Sequence, residues 1–165
     1  MPPLRHHVRR IAASTLCALA LAAPVAAQTI VDATDPATIM EFARGYGSAL
    51  MERDDAGDPM IVGRIDGTRY AILFYGCQNA VNCTSIHLLA SWANPGDFTS
   101  TQINEWNLSR NFGRAYLDDE GDPVLDYVIN LDGGVTARNL DDSFDWWRII
   151  LSDFVTLLDT PQQPD

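Results

Sequence analysis

The sequence predicts an α+β domain in the order α-β-β-β-α-β-β-α, a mostly antiparallel five-stranded sheet with helices packed on it. Three observations carry this. Some segments place apolar residues at helical spacing, while others alternate apolar and polar residues as strands do. The connections between the predicted strands are short, which makes neighbours antiparallel. Two cysteines, Cys77 and Cys83, stand at the facing ends of two apolar runs, Arg69–Gly76 and Thr84–Trp92, and mark a chain reversal.

Residues 1–27 read as a secretory signal peptide. Arg5, Arg9 and Arg10 give a basic start, Ile11–Ala23 is an apolar run, and Val25 and Ala27 are small residues of the kind signal peptidases read, which puts cleavage after Ala27. The run falls short of the roughly 20 residues a spanning helix needs, against an uncleaved anchor. Cys17 follows Leu16 rather than the small residue that precedes a lipidated cysteine, so it leaves with the peptide. The expected location is the periplasm or the outside of a bacterial cell. The remaining Gln28–Asp165 suffices for one domain with its own core, with no second stretch long and apolar enough to span a membrane. Losing three arginines takes the formal charge from −11 to −14, and lysine is absent altogether. Such a charge argues against nucleic acid and anionic membranes, whose phosphates need basic partners. It favours solubility, cations or basic partners.

Residues 28–160 form a single domain. Asp35-Pro36 starts a helix, because aspartate accepts from free first-turn N–H groups and proline suits the first helical position. Ile39, Phe42, Ala43, Tyr46 and Leu50 then recur at helical spacing, which predicts a helix over Pro36–Arg53 ended by Asp54-Asp-Ala-Gly-Asp58. Gly45 and Gly47 weaken it by about 1 kcal/mol each and suit close approach to a sheet. Met60–Ile65 and Thr68–Gly76 form a hairpin through Asp66-Gly67. In its second strand Tyr70, Ile72 and Phe74 share one face and Ala71, Leu73 and Tyr75 the other. Both faces are apolar, which predicts a central strand covered on both sides or lying at a partner interface, with a homodimer as one expectation.

Thr84–Trp92 is a half-buried strand, with Ile86, Leu88, Ala90 and Trp92 on one face and Ser85, His87, Leu89 and Ser91 on the other. After the loop Asn94–Asp97, Thr99 or Ser100 caps a helix to about Phe112. Arg114–Leu117 and Pro123–Leu131 are strands joined by the turn DDEGD, and Asp132-Gly-Gly134 breaks the pattern. Asp141 or Asp142 caps a last helix to about Leu158, whose apolar stripe is Phe144, Trp147, Leu151, Phe154 and Leu158. Residues 161–165 are a disordered tail. With Cys17 gone, Cys77 and Cys83 are an even pair in an exported chain, separated by QNAVN with two asparagines suited to a turn. A disulfide closing so small a loop contributes roughly 2 kcal/mol. Redox catalysis more often uses Cys-x-x-Cys, and two thiolates alone make a poor zinc site.

Three pieces follow one another along the chain: Phe74-Tyr-Gly-Cys77 with Cys83, Asn104-Glu-Trp-Asn107, and Phe112-Gly-Arg-Ala-Tyr-Leu-Asp118 before an acidic glycine turn. In these the chain resembles the YbjN family of bacterial proteins over about Pro36–Leu158, in a small exported form carrying a disulfide. The resemblance implies an α+β fold similar to the chaperones of type III secretion, which bind extended segments of partner proteins and commonly dimerise. Those chaperones act in the cytoplasm, so export argues against effector delivery here. The resemblance brings no catalytic set.

The candidate binding or structural residues are Asn104, Trp106, Asn107, Arg110, Phe112, Arg114 and Tyr116. Trp106 would wall a groove, or fill the gap between helix and sheet. Asn107 would hold a partner's backbone, or satisfy backbone within the domain; the structural readings are preferred. Arg110 and Arg114 would grip a carboxylate, or pair with neighbouring aspartates at roughly 0–1 kcal/mol if exposed. Two acidic clusters, Asp54, Asp55 and Asp58, and Asp118, Asp119, Glu120 and Asp122, have oxygens that calcium needs, but Ile129 stands where an EF-hand would place its closing glutamate. His87, the only histidine after residue 27, lies near Ser85 and Ser91, yet no nucleophile elbow, metalloprotease helix, phosphate loop or dinucleotide fingerprint is present. No cofactor or metal is expected. The function these readings favour is a non-enzymatic binding or regulatory adaptor domain for a protein or peptide. The alternatives are a small periplasmic hydrolase using carboxylates or His87, and an acidic cation-binding protein.

Overall fold

A computed structural model describes residues 28–93 and 98–160. Residues 1–27, expected as a signal peptide and containing Cys17, residues 94–97, expected as a loop, and residues 161–165, expected as a tail, lie outside the described residues. The chain runs β1 (Ile30–Val31), α1 (Pro36–Tyr46), β2 (Ser48–Arg53), β3 (Pro59–Ile65), β4 (Thr68–Tyr75), β5 (Ser85–Ser91), α2 (Ser100–Leu108), β6 (Arg114–Leu117), β7 (Pro123–Asn130), β8 (Val135–Thr136) and α3 (Ala137–Asp159). The α+β class holds, and the sheet has six strands in the order β2-β3-β4-β5-β7-β6, every neighbouring pair antiparallel. A second sheet of two strands pairs β1 with β8 and ties the start of the domain to the start of α3.

The sixth strand comes from the expected first helix. Asp35 caps α1 as anticipated, accepting from the Ala37 N–H at 3.1 Å, with Pro36 following. The helix then stops at Tyr46 instead of continuing to Arg53. Gly47 is the reason: a Cβ there would lie 2.0 Å from the Arg64 carbonyl oxygen, so only glycine lets the chain pass directly against β3. Ser48–Arg53 thereby pairs with Pro59–Arg64 along its whole length. Gly45, by contrast, meets nothing within 4 Å.

The turn that joins β2 to β3 has a twin. In Asp54-Asp-Ala-Gly-Asp58 the Asp54 carboxylate accepts from the N–H groups of Ala56 at 3.0 Å and Asp58 at 2.9 Å. In Asp118-Asp-Glu-Gly-Asp122, between β6 and β7, Asp118 accepts from Glu120 at 3.0 Å and Asp122 at 2.8 Å. Gly57 and Gly121 take the same left-handed backbone, φ +88° and +84°. Both acidic clusters are therefore hairpin turns built around a self-capping aspartate.

All three helices pack on one face of the large sheet or along its margin. The residues facing them, Ile61, Ile72, Ile86, Leu88 and Leu125, are fully buried. α3 carries Leu140, Phe144, Trp147, Ile150, Leu151 and Phe154 into this core. Trp147 meets Tyr70 at 5.9 Å, and Phe144 meets Phe42 and Tyr46 of α1. The Tyr70 ring lies over its cross-strand neighbour Gly63, where a Cβ would come 2.5 Å from the ring. α3 begins earlier than expected, at a cap formed by Thr136, which accepts from Asn139 N–H at 3.1 Å. The anticipated caps Asp141 and Asp142 fall inside the helix because Leu140 already belongs to the core. Cys77 and Cys83 are joined, closing the reversal between β4 and β5.

Candidate functional site

The short helix α2 is placed by a capping box. Thr99 N–H donates to Gln102 Oε1 at 2.8 Å and Gln102 N–H to Thr99 Oγ1 at 3.3 Å. The helix ends at Leu108, before the expected Phe112, and Ser109 closes it by donating to the Trp106 carbonyl. Trp106 points inward, is 6% exposed, and stands edge-on to Phe154 at 5.0 Å. It fills the space between helix and core and walls no open groove. Asn104 lies on the exposed side of α2.

Asn107 faces the outer edge of the sheet. Its Nδ2 donates to the Ala115 carbonyl at 2.9 Å, and the Ala115 N–H donates to its Oδ1 at 2.8 Å. One amide side chain thus satisfies both backbone groups of a residue on the edge strand β6, as a neighbouring strand would. The opposite edge is covered at one point as well, where Arg44 Nε donates to the Ala49 carbonyl of β2 at 3.2 Å.

The remaining candidates fall on two sides. Arg110 lies 5.5 Å over the Trp106 ring and pairs with Asp153 of α3 at 3.2 Å. Phe112 rests on Trp146 and Tyr127. Both belong to the helix side. Arg114 and Tyr116 belong to the opposite face, where Arg114 grips Asp126 with two parallel hydrogen bonds, one from Nε to Oδ1 at 3.2 Å and one from Nη2 to Oδ2. Asp126 is buried while the Arg114 side chain stays largely open, its guanidinium 5.4 Å over Tyr116. The hydrogen bond to Asp126, with its charge, raises the Arg114 pKa further above its ordinary value. Beside the pair is a shallow depression of about 260 Å³ lined by Gly113, Arg114, Asp126, Tyr127 and Val128.

That second face carries no helix among the described residues. Cross-strand register puts Leu50, Met60, Val62, Ala71, Leu73, Leu89 and Val128 on it together. Leu50 is 65% exposed, Val128 46% and Tyr75 45%. His87 sits in the same layer, its ring centroid 4.2 Å from that of Tyr75, and hydrogen-bonds to no serine or aspartate among the described residues. Toward one end of this layer Arg64 and Arg69 stand directly opposite each other on β3 and β4. Neither meets a carboxylate among the described residues; Arg64 donates to the Gly67 carbonyl at 3.0 Å. The described residues hold no group of three His, Cys, Asp or Glu side chains suited to a metal ion, and none of their helices is long and apolar enough to cross a membrane.

A family model described as "Putative bacterial sensory transduction regulator" matches residues 35–160. The chain belongs to the YbjN family. No curated protein and no solved structure matches it. The YbjN match runs from the cap of α1 to the end of α3, so the sheet, the three helices and the disulfide all lie within it.

The sequence signature of this YbjN chain does not converge on one spot. It divides into packing (Trp106, Arg110, Phe112), an edge closure (Asn107) and a part of the open face (Arg114, Tyr116). Sequence reading missed Asp126, Leu50 and the Arg64–Arg69 juxtaposition. Asp126 had a signal available, an acid within the otherwise apolar strand Pro123–Leu131; the other two depend on cross-strand register.

Proposed function

We propose that this YbjN domain is a non-enzymatic binding and regulatory adaptor of the bacterial cell envelope that recognises a protein partner on the open face of its sheet. The observation that carries this reading is the asymmetry of the sheet: one face is sealed by helices, the other presents Leu50, Val62, Leu73, Leu89 and Val128 to the surroundings. Contiguous apolar surface on a soluble domain marks an interaction site, because leaving it in water is unfavourable. The edge strand β6, where added strands would otherwise pair, is closed at its middle by Asn107, which turns attention from the edge to the face. Placement in the envelope is supported by the signal-like residues 1–27 and the two cysteines, which suit an oxidising compartment. The family description as a transduction regulator accords with binding rather than turnover.

The test is affinity capture from periplasmic extract, with the domain Gln28–Asp165 and its Leu73→Asp, Val128→Asp variant as parallel baits. The expected result is a protein enriched on the first bait and lost from the second, with the fold of both checked by circular dichroism. Equal enrichment on the two baits would remove the face from the function.

A further inference from the structure

After residue 27 the chain holds eight arginines against 22 acidic residues, so a carboxylate should be within easy reach of each arginine. Four of the eight meet one among the described residues: Arg44, Arg110, Arg114 and Arg148. Of the other four, Arg64 and Arg69 stand directly opposite each other on β3 and β4. The two-residue turn Asp66-Gly67 makes Ile65 and Thr68 the hydrogen-bonded pair beside it. Arg64 and Arg69 are then the next, non-hydrogen-bonded pair, with Cα atoms about 4.5 Å apart. Like charges in that arrangement repel. Arg64 reaches only the neutral Gly67 carbonyl, and Asp66 lines a depression with Arg148 against α3, on the helix side of the sheet. The acidic turn Asp118–Asp122 lies at the same end but three strand spacings away, about 14 Å.

Alternation puts both guanidinium groups on the open face. Tyr70, next to Arg69, is buried against Trp147, so its neighbours in the strand point the other way. Register lays an apolar row of Leu50, Val62, Ala71 and Leu89 across the sheet beside the arginine pair, ending at Asp126 and Arg114. A second row, Met60, Leu73, His87 and Val128, lies beyond it. The one acid in that row, Glu52, stands opposite Met60, away from the arginines. Arg114 continues the basic border. Asp126 takes its Nε and Nη2, which leaves three of the five guanidinium N–H groups to the surroundings, and the Tyr116 ring lies against the group. Asp126 thus holds an exposed cation in place with its outer edge free for a further acceptor.

We infer that the protein bound on this face presents carboxylates beside an apolar surface, seated on Arg64 and Arg69 and on the free edge of Arg114. The inference rests on the reading of the open face as the binding surface and names the chemistry of its partner. It runs against the charge of the domain. At −14 after residue 27, the whole attracts basic partners, and an acidic one is favoured only within a Debye length, about 8 Å, of these arginines. The sign of the preferred partner therefore separates local recognition from bulk attraction.

NMR titration of isotope-labelled Gln28–Asp165 tests it with three probes. Two are short peptides, one alternating glutamate with valine and one alternating lysine with valine; the third is glutarate, a dianion without apolar side chains. The glutamate peptide is expected to shift the amides of Arg64, Arg69, Ala71 and Leu89, and to bind more weakly as salt rises from about 50 mM to about 300 mM. The lysine peptide should go to the acidic turns instead. Arg64→Gln with Arg69→Gln, both exposed positions, should weaken the glutamate peptide about fivefold or more, while Arg64→Lys with Arg69→Lys keeps it. The glutamine variant should melt no lower than the parent, because it removes a repulsion. No shift on the face with the glutamate peptide at up to about 5 mM overturns the inference. So does tighter binding of the lysine peptide there, or a glutamine variant that binds as well as the parent. Glutarate binding as tightly as the peptide also overturns it, leaving an anion site only. The glutamine variant then serves as a third bait in the capture experiment. A partner lost from the Leu73→Asp, Val128→Asp bait but kept by the glutamine bait ends the carboxylate reading and keeps the adaptor. Equal enrichment on all three baits ends the adaptor, and the titration still decides on the arginines.

Discussion

The two faces of the large sheet are made from the same strands and have opposite fates. Ile72 and Leu73 are consecutive residues of β4; the first is fully buried beneath α3 and its neighbours, the second lies in a layer that no helix among the described residues covers. The covered face gathers Tyr70, Trp147, Phe144 and Phe154 into the buried core, while the open face carries smaller aliphatic residues, a histidine against a tyrosine, and three arginines. One face therefore holds the domain together, and the other is the one on which we propose recognition takes place. In strands this apolar, alternation alone cannot tell the two apart, because both faces avoid water and differ only in what covers them.

That contrast predicts a large difference between substitutions on the two sides. Trp147→Ala empties part of the aromatic core and should destabilise the domain by about 3–5 kcal/mol in urea denaturation, whereas Val128→Ala should change monomer stability by about 0.5 kcal/mol or less. Comparable losses at the two positions would erase the distinction. A smaller effect concerns the edge. Asn107→Ala removes both hydrogen bonds to Ala115 and should cost about 2 kcal/mol, with faster amide exchange confined to β6 and α2. Uniform exchange throughout the sheet would show that Asn107 is not acting locally.

The smallest effect is alkaline and belongs to the covered face. Burial raises the Tyr70 hydroxyl to about 12, and burial followed by a hydrogen bond and charge from Asp141 raises Tyr46 to about 12. Below pH 10 these phenols are neutral in folded and unfolded chains alike. Between about 10 and 12 the unfolded chain ionises first, so stability is lost as pH rises through that window. Tyr70→Phe should flatten the alkaline decline, leaving the part due to Tyr46 and to Tyr116 and Tyr127, whose hydroxyls burial also raises, at little cost near neutrality because the Tyr70 hydroxyl has no hydrogen-bond partner. An unchanged decline in pH-dependent melting would place the titration elsewhere.

Much of this was legible because the strands and caps speak locally. Asp35-Pro36, the Asp66-Gly67 hairpin, the alternation of Thr84–Trp92 and the stripe on the last helix each rest on a handful of neighbouring residues. β2 was not legible in that way. Ser-Ala-Leu-Met-Glu-Arg contains good helix formers, and only the pairing with β3 overrides their preference. Its signal is the turn after it: DDAGD repeats DDEGD, which joins two strands, and the same chemistry asks for a strand before Asp54 too. The site was harder still. Trp106 and Asn107 make their contacts inside the domain, with Phe154 and with Ala115, while Arg64 and Arg69 are separated by a turn and become neighbours only through register.

The strand order has a kinetic consequence. β2, β3, β4 and β5 follow one another across the sheet as they do along the chain, so each can join its predecessor through a short loop, with the cysteine bond closing within one of them. β7 cannot. It must lie between β5 and the already synthesised β6, with its whole length paired to a strand made about forty residues earlier. Folding should then divide into an early, local assembly of four strands and a slower closing step when β7 enters. Until that step is complete β5 remains an unpaired edge, and the half-made sheet is the form most exposed to aggregation.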